Sequence, residues 1–378
     1  MRKLRIGLIG FGFMGKTHLW SVRNIPFFYK PREPGFEAEV VAVCSSSFDK
    51  AKTAAEEFGI PRAVAAPDEI LSDPSIDIVD ICTPNPFHYD VAKAAILAGK
   101  HVLCEKPLTA SAEEAWELAR LAREQGAVCG TVFNNRFLSP VLRAKELAEE
   151  GRLGRILSFD FSYKHNSCID PERFVGWKQK GDFAGGTLYD LGPHALDLLR
   201  HLCGEPVSVL GKSHIAYPTH RTSNGTLWET NADEAFHMIC TTSGGAVGTV
   251  TVSKLIQGAN DELSFSIHGE RGSMQFSLMD PNYLYFYDAT AKGAPFGGER
   301  GYTRIECVGR YPSPASGFPT PKAPIGWLRG HMGCMTNYLT CVADGVPCSP
   351  SFADGAAVQA LLEAAVRSDR EGREVILC

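Results

Sequence analysis

The first third of the chain alternates short apolar runs with amphipathic stretches. Ile6–Ile9, Val40–Val43, Ile78–Cys82, His101–Cys104 and Ala127–Val132 read as strands. Ile78–Cys82 lacks regular polar alternation, as a strand buried on both faces does. Between the strands, Lys16–Arg23 begins a helix, and Phe48–Phe58 and Phe87–Ala98 are helical, stopping at Gly59 and Gly99. Ser111–Gln125 is a longer helix ending at Gly126; Ser111 with Glu114 three residues on forms a capping box. Repeated β-α-β with short connections predicts an α/β, doubly wound parallel sheet covered by helices.

The pattern changes after about residue 135. A helix at Pro140–Glu150 ends at Gly151, and Arg155–Tyr163 alternates as a strand. Gly186–Leu202 is helical. Val207–Ile215, Glu234–Thr241, Ala246–Lys254, Glu262–His268 and Tyr283–Tyr287 follow as strands joined by Gly, Asn or Asp turns. Consecutive strands without intervening helices predict a mostly antiparallel sheet in an α+β domain. Helices near Arg329–Ala343 and Ser351–Ser368 precede a short strand at Glu374–Leu377. The expected division is residues 1–130 and 131–378, with helix 351–368 packing back on the first domain. Pro26–Phe36 and residues 293–326 read as surface loops, or as parts of a pocket mouth or oligomer contact.

Bulk properties narrow the class. A chain of 378 residues is long enough for about two cores. Hydrophobic residues at 44% and charged residues at 21% are those of a globular protein. A net charge of −5 argues against a nucleic-acid partner. No apolar run approaches the ~20 residues a membrane span needs, and the first strand begins too near Met1 for a signal peptide. The 12 cysteines form no C-x-x-C and no zinc spacing. They read as reduced, buried hydrophobes of a cytoplasmic protein, with no metal site. Asn224-Gly225-Thr226 reads as a loop.

Four constellations carry candidate chemistry. Gly10-Phe11-Gly12-Phe13-Met14-Gly15 follows a strand and opens a helix. Gly10 permits the tight turn, Gly12 lets backbone approach a pyrophosphate, and Gly15 lets helix and strand pack closely. The helix N-terminus offers free N–H groups and partial positive charge to phosphates. Thr83-Pro84-Asn85, with His88 behind, lies at the carboxyl end of a buried strand, where such sheets bind ligands. Turn chemistry is the plainer reading of Pro84 and Asn85. Glu105-Lys106-Pro107 follows the next strand into the same crevice. A lysine there can hold a hydroxyl or carbonyl oxygen, or simply pair with Glu105. Gly185-Gly186-Thr187-Leu188-Tyr189-Asp190-Leu191-Gly192-Pro193-His194 puts Asp190 and His194 at i and i+4 on one helix face. An Asp there can orient an imidazole that accepts a proton. Asp197 and His201 continue that face, so one pair can equally be a satisfied polar stripe. The two glycines allow close approach of a cofactor to the first pair.

In this order and spacing the four motifs resemble the Gfo/Idh/MocA family of oxidoreductases, over nearly the whole chain. The resemblance implies a Rossmann domain and a second domain whose large open sheet often mediates oligomers, here a homodimer or homotetramer. It implies that the Gly10–Gly15 loop holds the pyrophosphate of NAD(P), while Thr83, Pro84, Asn85, His88 and Glu105 line the dinucleotide. Lys106 then sits between nicotinamide and substrate, and Asp190 and His194 complete the reacting centre. Asn134, Arg136 and Trp177 fall where the family lines cofactor or pocket. Tyr163, Lys164, His165, Asn166 and His331 are further candidates for the substrate side.

One departure concerns the cofactor. An NAD site usually has an acid at the end of the second strand, for the ribose 2′-OH. Here that strand leads into Cys44-Ser45-Ser46-Ser47, with Lys50 and Lys52 nearby. Ser45, Ser46 and Lys50 would not repel a 2′-phosphate, which tilts the reading toward NADP. The implied activity is hydride transfer between the nicotinamide and a secondary hydroxyl of a sugar, cyclitol or glycoside. His194 takes the hydroxyl proton, Lys106 holds the oxygen and Asp190 orients His194. An alternative is glycoside cleavage with a bound, recycled cofactor. A non-catalytic cofactor sensor would predict loss of the Lys or His, and both are present. A methyltransferase has no evident use for the E-K-P and D-x-x-x-H sets.

Overall fold

The computed structural model describes residues 2–29, 35–170, 172, 174–181, 185–308 and 326–377. They fall into two compact units, one of residues up to 137 with 326–359, the other of residues 138–308 with 360–377.

The first unit begins β1 (Arg2–Ile9), α1 (Phe13–Phe28), β2 (Phe36–Cys44), α2 (Phe48–Phe58), β3 (Arg62–Val64) and α3 (Asp68–Leu71). It continues β4 (Ile78–Ile81), α4 (His88–Leu97), β5 (His101–Cys104), α5 (Ala112–Glu124) and β6 (Cys129–Thr131). The strands form one parallel sheet in the order β3-β2-β1-β4-β5-β6. Strand order reverses between β1 and β4, so the carboxyl ends of those two strands flank the topological switch point. Apolar side chains go to both faces. Leu19, Val22 and Ile25 of α1 pack with Leu4, Ile6 and Leu8 on one face. Ala92, Ala95 and Ile96 of α4, with Ala115 and Leu118 of α5, pack with Val79, Ile81 and Val102 on the other. The capping box is present: Ser111 Oγ accepts a hydrogen bond from Glu114 N at 3.2 Å.

Two local expectations fail here. Helix α1 runs to Phe28 and contains Pro26, where the composition predicted irregular chain. A proline in the last turn forfeits one helical hydrogen bond, while continuing the helix buries Ile25 and brings the buried Tyr29 after it. Residues 30–34 of that stretch lie outside the described residues. Strand β3 went unread because three residues are too few to show a period.

The second unit holds α6 (Ser139–Glu149), β7 (Ile156–Lys164), α7 (Thr187–Cys203), β8 (Pro206–His214), β9 (Thr219–Arg221) and β10 (Leu227–Glu229). Strands β11 (Ala235–Thr242), β12 (Val247–Ser253), β13 (Glu262–Gly269), β14 (Gly272–Ser277), β15 (Tyr283–Asp288), β16 (Tyr302–Glu306) and β17 (Val375–Ile376) follow. Nine strands form one sheet in the order β16-β15-β14-β13-β7-β12-β11-β8-β17. Every neighbouring pair is antiparallel except β7 and β12, which run parallel. Helix α7 lies on β7, β11 and β12 and buries Leu188, Leu191, Ala195, Leu198 and Leu199. Strands β9 and β10 make a hairpin that the sequence did not announce, and Gly225 turns it at φ +84°. Strand β16 falls in the stretch read as a loop; it is an edge strand with three exposed residues, so it carries little apolar alternation. Residues 309–325 of that stretch lie outside the described residues.

The chain then returns to the first unit through α8 (Trp327–Asp344), whose Met332, Met335, Leu339 and Val342 join the core built on α1. Helix α9 (Phe352–Glu371) starts there too, with Phe352 and Ala356 in the core beneath α4 and α5, and the division between units falls within it. Among the described residues, no helix is long and apolar enough to cross a membrane.

Candidate active site

In the first unit, the β1–α1 loop meets the demands its glycines predicted. Gly10 has φ +98°, and a Cβ there would press on the Cys82 backbone. A Cβ on Gly15 would overlap the Gly10 carbonyl oxygen, so only glycine lets α1 start this close to the loop. Gly12 differs: a Cβ on it would meet no atom within 4 Å. Its missing side chain therefore answers to no packing among the described residues, and the loop is open there. Gly12 is also the N-cap of α1 and gives no side-chain cap, so the first amides of the helix are offered outward. Phe13 beside them is exposed and stacks on Trp327 with ring centroids 5.7 Å apart.

At the carboxyl end of β2 no acid follows Cys44. Ser47 caps α2 through Lys50 N, and Lys50 Nζ donates to Ser46 Oγ at 3.1 Å. After β4, Thr83 Oγ1 is buried without a hydrogen-bond partner among the described residues, and Asn85 is buried beside it. Both suit a polar ligand lying along this loop. His88 is fully buried, with its ring nitrogens 2.9 Å from Pro107 O and 2.8 Å from Thr83 O. Burial pushes its pKa down, against the pull of those carbonyls. His88 links the β4 and β5 loops, with both ring nitrogens facing backbone carbonyls.

The strongest electrostatic feature is one the motifs did not name. His18 on α1 donates from Nδ1 to Asp80 at 2.9 Å and from Nε2 to Glu105 at 3.1 Å, and all three are buried. Burial alone would push the imidazole pKa down, but the Asp80 carboxylate and Cys82, through charge and hydrogen bonds, hold it well above its usual range. Burial would likewise raise Glu105. The His18 hydrogen bond and the charges of His18, Lys106 and His331 overcome it and bring Glu105 to about 2. Glu105 Oε2 also accepts from Lys106 N at 3.1 Å, so the clamp fixes the backbone from which the half-buried Lys106 projects. His331, on α8, is buried with its ring 4.1 Å from Trp327 and 6.2 Å from His18. Two triads here, His18–Glu105–His331 and His18–Asp80–Cys82, bring donor atoms within 4.8 Å of one another. Both nitrogens of His18 already face carboxylates, so hydrogen bonding accounts for the cluster. Asn134 and Arg136 lie on the short turn Asn134–Phe137; both are buried, and Arg136 pairs with Asp354 at 3.1 Å and donates to Ser349 Oγ at 3.2 Å.

In the second unit, α7 carries Asp190 and His194 in its first turns, as the spacing required. Asp190 accepts from Lys178 Nζ at 2.8 Å and from Lys254 Nζ at 2.6 Å. His194 is nine-tenths buried, and Tyr163 meets its ring edge-on at 5.8 Å. Tyr163 OH donates to Asp261 Oδ1 at 2.6 Å, and His165 Nε2 lies 3.0 Å from the same oxygen. Burial would raise Asp261, but hydrogen bonds from His165 and Tyr163 and the charges of His165 and His194 hold it below the usual range. The sheet explains the meeting. Parallel β12 sets Val252 beside Tyr163, so Lys254 leaves where β7 ends, and antiparallel β13 sets Leu263 opposite Tyr163, so Asp261 arrives at the same end. Sequence reasoning found Tyr163, His165, Asp190 and His194 and missed Lys178, Lys254 and Asp261, whose proximity depends on strand order. The Trp177 side chain lies outside the described residues. Gly185 and Gly186 are both closely packed within the unit. A Cβ on Gly186 would overlap Asp233, and one on Gly185 would crowd the Lys178 and Lys180 carbonyls.

A model described as an oxidoreductase family with an NAD-binding Rossmann fold matches residues 4–133, and its C-terminal alpha/beta domain matches residues 145–377. The chain belongs to the Gfo/Idh/MocA oxidoreductase family. A levoglucosan dehydrogenase of Pseudarthrobacter phenanthrenivorans is 32% identical over 382 residues, 97% of this chain and 96% of that one. A scyllo-inositol 2-dehydrogenase (NADP(+)) of Bacillus subtilis is 30% identical over 270 residues, covering 71% of this chain and 68% of the relative. Among solved structures, a levoglucosan dehydrogenase in complex with NADH and L-sorbose superposes with TM-score 0.94 at 30% identity over 100% of both chains.

The clamp gives a pH prediction. Glu105 is depressed from 4.5 to about 2, so its stabilisation is complete above pH 4.5 and lost as pH falls toward 2. His18 is raised, so its contribution is complete below its unfolded value of about 6.5 and lost as pH rises through the higher folded value. His18→Ala leaves two buried carboxylates without their cation. Denaturant titration at pH 7 should give a loss of about 3–5 kcal/mol; a loss under about 1 kcal/mol would contradict the clamp.

Proposed function

We propose that the protein is an NAD(P)-dependent dehydrogenase acting on a secondary hydroxyl of a sugar, cyclitol or glycoside. The observation that carries the reading is the polar cluster on α7. His194 sits nearly buried against Tyr163, one turn from an Asp190 bound by two lysines. The named sugar and cyclitol dehydrogenases among the relatives, at 30–32% identity, point to the same substrate class. When bound, the nicotinamide accepts or returns the hydride. The residues do the rest. The Gly10–Gly15 loop and the open start of α1 take the pyrophosphate, and Thr83 and Asn85 lie along the dinucleotide. Lys106 donates to the substrate oxygen and stabilises negative charge as the O–H bond breaks. His194 Nε2 takes that proton. Asp190, with its two lysines, sets the charge beneath His194, while Tyr163, His165 and Asp261 face the hydroxyls around the reacting carbon.

At the other end of the cofactor, Lys50 beside Ser46, with no acid after β2, favours acceptance of a 2′-phosphate and so of NADP.

Two measurements test this. With levoglucosan and scyllo-inositol as first substrates, Lys106→Ala and His194→Ala should each lower kcat at least ~100-fold. NADH fluorescence titration should show cofactor still bound. Near-normal turnover in both variants would end the assignment. Lys50→Ala should weaken NADP binding about tenfold, the worth of one charge-assisted hydrogen bond, and leave NAD binding unchanged. Equal effects on both cofactors would refute the 2′-phosphate role.

A further inference from the structure

Helix α7 holds two of the proposed reacting residues, yet its N-cap, Gly186, supplies no side chain to its free amides. The cap comes from another part of the chain. Asp233, just before β11, accepts from Leu188 N through Oδ2 at 2.8 Å and from Thr187 N through its own carbonyl at 2.9 Å. Gly186 adopts φ +107°, and a Cβ there would overlap the Asp233 carboxylate, so the fit excludes any larger residue.

Asp233 also has an electrical link to the site. Lys254 Nζ sits on Asp190 Oδ2 at 2.6 Å, and its charge acts on Asp233 as well. Asp233, Lys254 and Lys178 line one small polar cavity together with His220, Glu234 and Thr187. Thr187 Oγ1 and both ring nitrogens of His220 have no hydrogen-bond partner among the described residues, so water in the cavity has polar groups to bind. The groups facing Asp233 can be named element by element. Lys254 comes from the end of β12, Lys178 from the turn Trp177–Gln179, His220 from β9 and Tyr189 from α7, with Glu234 adjacent in sequence and Cys168 across the cavity. Lys254 and Lys178 are the lysines among them. Burial pushes the Asp233 carboxyl up, the Leu188 N–H and the Lys254 charge pull it down, and it comes to rest at about 7.

We propose that Asp233 is a positioning residue for the reaction: its carboxylate caps α7 and shares Lys254 with Asp190, so that its protonation hands Lys254 to Asp190 and changes the charge beneath His194. The inference rests on the reading of His194 and Asp190 given above. It assigns one of the inflections in the pH profile to a residue that touches neither substrate nor cofactor.

The test uses the full chain and Asp233→Asn, which keeps the shape and an oxygen for Leu188 N but removes the charge. Two readouts are needed. The first is kcat against pH, from 5.5 to 9.5, with levoglucosan and NAD. Wild type should show an inflection near 7 that is absent in Asp233→Asn, with kcat above pH 7 roughly 3- to 30-fold lower and the KM for NAD unchanged. The second is Tm against pH, which needs no turnover. A carboxyl raised in the folded state binds more protons folded than unfolded between about 4 and 7, so wild-type stability falls as pH rises through that window. Asp233→Asn should lack that fall. An inflection near 7 that survives in Asp233→Asn, or parallel Tm curves, overturns the inference. If Lys106→Ala and His194→Ala are inactive while the Asp233→Asn profile matches wild type, the inference alone fails. If those two variants are active, the reading beneath it fails, and the Tm curves still judge the titration of Asp233.

Discussion

A single imidazolium, His18, sits between two buried carboxylates, and the dinucleotide-binding unit is arranged around it. Asp80 comes from β4, Glu105 from the end of β5 and His18 from α1. Removing three ionisable groups from water is expensive, and replacing such a cluster with apolar residues would often be as stable. What apolar residues would not supply is direction. Asp80 and Glu105 hold the His18 ring in one orientation, and Glu105 in turn holds the amide of Lys106. The lysine thus starts from a backbone whose position is set by charge, at the carboxyl end of a strand beside the switch point.

The second unit solves the same problem with the signs reversed. There the acid is central: Asp190 lies between Lys178 and Lys254, and Asp261 lies between Tyr163 and His165. Each anion is met by donors from neighbouring strands or turns, so α7 and the ends of β7, β12 and β13 share one polar cluster above an apolar sheet. In both units the side chain proposed to carry the chemistry is adjacent to the charged cluster rather than inside it. That leaves Lys106 half-buried and His194 in ring contact with Tyr163.

The parts of this arrangement that were legible in the sequence are those whose cause is local. A glycine that needs φ +98°, a glycine whose Cβ would strike a neighbouring carbonyl, and a serine capping an amide three residues on all declare themselves within a few positions. Asp190 and His194 were legible because helical spacing alone puts them on one face. His18 was not, since its partners lie 62 and 87 residues away. Lys254 and Asp261 depend on the parallel pairing of β7 with β12 and the antiparallel pairing with β13, which no local pattern encodes. The packing at Gly186 was hidden for the same reason: its neighbour there is Asp233, nearly fifty residues on, whereas Gly185 meets the nearby Lys178 and Lys180 carbonyls.

Family membership describes a dehydrogenase or reductase, and in the mechanism proposed for the two clusters side chains move a proton while the hydride passes to the nicotinamide. The most direct test follows the hydride itself, using levoglucosan deuterated at its carbinol carbons and unlabelled NAD or NADP. Mass spectrometry of the released cofactor should find one deuterium on the nicotinamide per sugar oxidised, in stoichiometric yield. Deuterium retained in the sugar product, with the cofactor unlabelled and recovered in its starting form, would contradict the account.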